Sequence, residues 1–163
     1  MRKALIGAAA AAGLLAGSPA LAQPAPGSLC DFIQGAVIQG AAHFNRFKGS
    51  PGTEPGTYNI PEQLEPPNGD CGVIDHPSTG ETYVLCTWHT NPGVSETAAR
   101  AEMGKLTKEV GGCLGSGRKP HPAPPGLDGV AFAEDPIHDR AMLTFSKDDN
   151  GTFEYMLMIY PDP

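Results

Sequence analysis

Beyond its first 22 residues the chain has no apolar run long enough to cross a bilayer, and basic residues are scarce throughout. Eleven Lys and Arg are set against 18 Asp and Glu, which gives a formal net charge of −7. Because an acidic surface is repelled by nucleic acid and by anionic lipid, we expect neither as a partner. CxxC pairs are absent, and no two of the five histidines stand at i, i+4 or i, i+2. The sequence therefore predicts no metal site.

The motifs that carry common catalytic chemistry are also missing. There is no G-x-S-x-G elbow, no phosphate-binding glycine loop, and no β-α alternation that would carry such a loop. The segment Lys147–Gly151 resembles the turn of a calcium loop, but the position that needs a bidentate Glu holds Leu157. We therefore predict no catalytic residue and no cofactor.

The N-terminal segment has the three parts of an export signal. Arg2 and Lys3 precede an apolar stretch, and a small-x-small site predicts cleavage after Ala22. We expect residues 1–22 to be removed, residues 23–27 to form a flexible leader, and residues 28–163 to form one domain. This predicts a soluble periplasmic or secreted protein, without membrane insertion after cleavage.

The stretch from Asp70 to Thr90 predicts a β-hairpin around Pro77–Gly80. Cys71 and Cys86 are almost equally far from the turn, so antiparallel pairing would bring them opposite each other, within reach of a disulfide. Both faces of the second arm carry apolar residues, which indicates an interior strand. A second hairpin is predicted at Arg140–Tyr160 around Asn150-Gly151, and its last strand would accept a partner strand if it lay at the sheet edge.

Two helices complete the predicted fold. The first begins at Ser28 and its apolar stripe runs to Phe47, with a stop at Gly49; the second begins at Ser95. Residues 49–69 and 118–129 are predicted Pro/Gly-rich loops, with a short edge strand or turn near 58–64 and a short strand at 130–133. The resulting fold class is α+β, in the order α-β-β-α-β-β, with both helices on one antiparallel sheet. Residues 28–90 and 95–160 form an architectural pseudo-repeat.

Four cysteines in an exported chain predict two disulfides. Antiparallel helices would bring Cys30 close to Cys113, which leaves Cys71 to pair with Cys86. The alternative pairs Cys86 with Cys113 and Cys30 with Cys71.

The preferred functional hypothesis is a non-catalytic protein-binding module whose partner is another envelope or secreted protein. Its surfaces would be the Pro/Gly loops or an open sheet edge. The candidate interface residues are Tyr58, Tyr83, Trp88 and His89, since aromatic side chains anchor contacts. For Trp88 the sequence favours the competing interpretation, a core residue beneath a helix. Two further classes stay open: an enzyme using dispersed groups such as His76, Glu81 and His89, and a small-ligand carrier with an apolar cavity.

Overall fold

The computed structural model describes residues 28–133 and 139–161, and two helices lie on one sheet of seven strands. The predicted signal peptide, the leader and His138 lie outside the described residues. The helices are α1 (Leu29–Gly40) and α2 (Glu96–Leu114), with a short 3-10 turn at Glu62–Leu64. The strands are β1 (Thr57–Asn59), β2 (Asp70–Asp75), β3 (Thr82–His89), β4 (Lys119–Pro122), β5 (Gly129–Ala133), β6 (Asp139–Lys147) and β7 (Phe153–Ile159).

The sheet is antiparallel throughout, in the order β1-β2-β3-β7-β6-β5-β4. The β2–β3 and β6–β7 hairpins lie where the sequence predicted them, and β3 is interior, as its two apolar faces indicated. β7 is interior as well, paired with β3 on one side and β6 on the other. The last strand is therefore not at the sheet edge, where it could have accepted a partner strand.

The core lies between the helices and one face of the sheet. It contains Phe32 and Ile33 from α1, Val110 from α2, and residues at alternate positions of the strands, such as Val84 and Leu157.

Serine side chains begin both helices: Ser28 accepts a hydrogen bond from the backbone of Asp31, and Ser95 does the same for Ala98.

The structure confirms the disulfide pairing that the sequence analysis preferred. Cys71 and Cys86 are directly opposed in the β2–β3 ladder, with their Cα atoms 4.1 Å apart. Cys30, in the first turn of α1, is bonded to Cys113 near the end of α2, with a Cα separation of 4.9 Å. One bridge therefore fixes a hairpin and the other fixes the helix pair.

The first predicted helix is too long, and its correct end is Gly40. His43 and Phe44 have positive φ values of 49° and 55°, which reverse the chain just after the helix. Phe44 and Phe47 nevertheless reach the core, where Phe47 meets Phe32 edge-on at 5.7 Å between ring centroids. The apolar spacing predicted correctly that both side chains are buried, but the backbone that positions them forms turns and not a helix.

The second predicted Pro-rich loop is wrong in part, because residues 119–122 form the edge strand β4. The short strand near Tyr58 and the strand at 130–133 are both present. Within the described ranges, no helix is long and apolar enough to span a bilayer.

Candidate functional site

Trp88 lies near the end of β3 and is the only tryptophan of the chain. Strand alternation turns it to the helix side of the sheet, where it packs against core residues, as does Leu106 of α2. Its indole Nε1 donates a hydrogen bond to the carbonyl oxygen of Pro67 at 3.3 Å. The ring remains half-buried. Trp88 thus joins the sheet to the loop before β2 and still presents part of its surface to solvent.

A groove of about 340 Å³ opens beside this ring. One wall is the start of α1, a second is the Pro67-Asn68 turn, and the third is the outer side of α2. Asn68 has a positive φ of 57° and is followed by Gly69, where an added Cβ would lie 3.2 Å from the indole carbons. The same Cβ would lie 2.9 Å from Pro66, so a side chain at this position would crowd both the turn and the indole ring. The groove is lined by Ser28, Leu29, Pro67, Asn68, Trp88, Leu106 and Glu109.

The groove carries negative charge. Glu109 is the only charged residue of its lining and makes no ion pair among the described residues, while the nearby Lys105 is paired with Glu102 at 2.9 Å. Residues 49–75, which supply the turn, contain five carboxylates and no Lys, Arg or His. Burial, helped by repulsion from Asp70 and Glu62, raises the pKa of Glu65 in this segment.

The four predicted interface residues do not form one cluster. Tyr58 and Trp88 lie on the helix side, since Tyr58 pairs with the buried Val73 and packs against the core. Tyr83 and His89 lie on the opposite face of the sheet. Tyr83 stacks at a tilt on Tyr160, with ring centroids 5.8 Å apart. Of the four, Trp88 alone lines the groove.

The three residues suggested for a dispersed enzyme site are also separated. His76 and Glu81 lie at the β2–β3 turn, where the His76 amide donates to the Glu81 carbonyl at 2.7 Å. His89 lies at the other end of β3, eight residues from Glu81, which corresponds to about 26 Å along a strand. Its nearest carboxylate partner is Glu154, at 3.9 Å. These residues therefore do not share a cleft.

Cys86 and His89 have the CxxH spacing of some metal sites, and the exclusion of a metal site from the sequence was wrong to count no such pair. The Cys86 sulfur is already bonded to Cys71. Residues three apart on a strand point to opposite faces, so these two side chains cannot share an ion.

The two outer strands of the described sheet are poorly suited to strand addition. The outer side of β1 is occupied by residues 49–52: the Asn59 amide donates to Ser50, and the amides of Gly49 and Gly52 donate to β1 carbonyls. On β4, Pro120 and Pro122 carry no amide hydrogen. Proline on an edge strand blocks further pairing. The groove and the faces of the sheet are therefore better candidates than the edges.

Comparisons of the chain with family models, with curated proteins and with solved structures gave no significant match.

Proposed function

We propose that this protein is an exported, non-catalytic binding module that anchors a basic side chain of a partner protein in the Trp88 groove. The partner is another envelope or secreted protein with an exposed Lys or Arg. The observation that carries the proposal is that the half-buried Trp88 indole and the Glu109 carboxylate line the same groove, whose lining has no basic residue. Arg and Lys side chains stack on indole faces while their charged ends meet carboxylates.

The size of the effect defines what this anchor can do. A cation over an aromatic ring contributes about 0.5–2 kcal/mol. An exposed ion pair with Glu109 adds roughly 0.2–1 kcal/mol. Together they change an affinity by about half to two orders of magnitude. The groove therefore selects a partner by charge, and a stable complex needs further contacts around it.

Export supports the same function. Both disulfides are closed within the domain, which is typical of chains that fold in an oxidising compartment. The predicted signal segment, with cleavage after Ala22, would take the protein to the periplasm or the exterior. We propose that binding occurs there, between the oxidised domain and its partner.

The single tryptophan provides a direct test, because all indole emission comes from the groove. The oxidised protein is titrated with four short peptides that differ only in their central residue, Arg, Lys, Leu or Glu. We expect the Arg and Lys peptides to change the emission of Trp88 in a saturable way, more weakly at high salt. A small guanidinium compound, agmatine, tests whether the groove also accepts a free cation.

Matched variants on one helix locate the effect. Glu109→Gln removes the charge of the groove and should weaken the response to the Arg peptide several-fold. Glu96→Gln removes a charge that is paired with Arg100 at the start of the same helix, outside the groove, and should leave the response unchanged. An equal response to the Glu peptide, no response at millimolar concentrations, or equal loss in both variants would overturn the proposal.

A further inference from the structure

The face of the sheet opposite the helices carries three of the chain's five methionines. Met156 and Met158 alternate along β7 with the core residues Leu157 and Ile159, so both point away from the helices. Met142, on β6, is directly paired with Met158 and lies on the same face. Unbranched methionine is not the residue that strand formation favours, since β-branched and aromatic residues fit strands better.

The register brings the three side chains to one place. Directly paired residues such as Met142 and Met158 have Cβ atoms about 4.5–5.5 Å apart, and diagonal pairs such as Met142 and Met156 about 7–8 Å. A methionine side chain extends several ångströms from its Cβ, so three thioether sulfurs can meet at one point above β6 and β7. The Met158 sulfur now accepts a hydrogen bond from the Tyr160 hydroxyl, at 3.5 Å, on the side away from Met156. Metal binding would replace this contact by a rotation of the Met158 side chain toward Met142 and Met156.

A second observation at the same place indicates a missing polar partner. Thr144 is paired with Met156 across β6 and β7, on the methionine face. It is only 3% exposed, and its hydroxyl oxygen has no hydrogen-bond partner in the described part of the chain. A buried hydroxyl without a partner costs free energy, so such a group calls for a specific explanation.

We infer that Met142, Met156 and Met158 form a binding site for a soft monovalent metal ion, Cu(I), with the Thr144 hydroxyl next to it. Thioethers are soft ligands that select Cu(I) over harder cations. They need no deprotonation, and the four cysteines of this chain are engaged in disulfides and cannot compete. The ion binds as Cu(I) and leaves as Cu(I), so no electron transfer is involved. The site lies on the opposite face of the sheet from the Trp88 groove and does not depend on the function proposed there.

Silver(I) is a suitable first probe, because it has the same closed-shell configuration as Cu(I) and needs no reductant that would threaten the disulfides. The folded, oxidised protein is labelled with ¹³C at the methionine ε-methyl groups and titrated with Ag(I) in chloride-free buffer. We expect the signals of Met142, Met156 and Met158 to shift together and to saturate at one equivalent. Met103, on α2, is the internal control and should not shift. Cu(I) is then tested anaerobically in competition with a chromophoric chelator.

Leucine variants separate metal binding from packing, since Met and Leu are close in volume. Each of the three Met→Leu changes should weaken Cu(I) binding by at least about tenfold, a loss that even an outer-shell change can cause. Met103→Leu should not weaken it. His121 lies on β4 on the same face of the sheet, in register with Ala131 and Met142, and is the alternative ligand. Absence of saturable binding, binding that survives the triple variant, or binding lost instead with His121→Gln would overturn the inference. Unchanged circular dichroism and thermal unfolding of the triple variant would assign its loss to the sulfurs.

Discussion

The two disulfides should stabilise this fold unequally. In the chain-entropy account, a crosslink stabilises by restricting the unfolded chain, and its effect grows with the length of the closed loop. The Cys30–Cys113 bridge spans 83 residues and the Cys71–Cys86 bridge spans 15. These lengths correspond to about 4.5 and about 3 kcal/mol. Removing the long bridge should therefore cost about 1.5 kcal/mol more than removing the short one.

The native structure supports the same order. Cys71 and Cys86 lie inside a ladder of six paired residues, so β2 and β3 remain aligned without the bond. The long bridge joins the two helices, which have no such ladder between them. Three of the four cysteines are buried and Cys30 is half-buried, so the packing lost by truncation to alanine is similar for the two pairs.

The measurement is urea unfolding of wild type and of two double variants, Cys30→Ala/Cys113→Ala and Cys71→Ala/Cys86→Ala. Removal of a crosslink expands the denatured chain, so the m-value should rise in both variants, more in the first. If Cys71→Ala/Cys86→Ala proves less stable than Cys30→Ala/Cys113→Ala, loop closure does not govern the contribution of these bonds. Reduction of both disulfides in the wild type should lower its free energy of unfolding by nearly the sum of the two losses.

Two further predictions concern local interactions. Burial alone would raise the pKa of Asp75, but hydrogen bonds from Lys48 and Thr82 outweigh it and hold that pKa below its usual value. The stability that Asp75 adds is therefore present above about pH 4 and is lost as pH falls through the folded pKa. Asp75→Asn should flatten this acid limb and, because the pair is partly exposed, cost only about 1 kcal/mol at neutral pH. Ser95→Ala removes the hydrogen bond to the amide of Ala98 and should cost about 1 kcal/mol in urea unfolding, whereas Ser95→Asp should be nearly neutral.

The parts of the fold that the sequence predicted best depend on local signals. The β2–β3 hairpin was predictable because its turn, its alternating strands and its two cysteines all specify one register. The helix starts at Ser28 and Ser95 were predictable because each provides its own cap. Such features require no knowledge of distant segments.

The errors have specific physical causes. Phe44 and Phe47 continue the apolar spacing of α1, and only the left-handed backbone at His43 and Phe44 shows that the helix has ended. β4 was hidden because Pro120 and Pro122 are typical of loops. Proline is tolerated on an edge strand when its nitrogen faces away from the neighbouring strand. The Ala123 amide donates to the Gly129 carbonyl, so amides at alternate positions of β4 face β5, and the nitrogens of Pro120 and Pro122 face outward.

The candidate site could be predicted only in part. Trp88 was one of the candidate interface residues, but the groove also needs Pro67 and Asn68 from a loop and Leu106 and Glu109 from α2. These residues lie about 20 positions before and after Trp88, and no local sequence pattern predicts contact between segments so far apart. The grouping of Tyr58, Tyr83 and His89 with Trp88 ignored strand alternation, which distributes these residues over two faces.

The two interpretations of Trp88, core residue and interface residue, are compatible in this structure. Tryptophan is too large to be fully buried with ease, and its N–H requires a partner wherever the ring is partly covered. Here Pro67 accepts that hydrogen bond, the sheet and α2 cover one part of the ring, and the groove exposes the rest. The contacts that fix the indole also remove its rotational freedom before any ligand arrives. A residue held in this way loses little further entropy on binding, which is why a structural tryptophan at a groove makes an effective anchor.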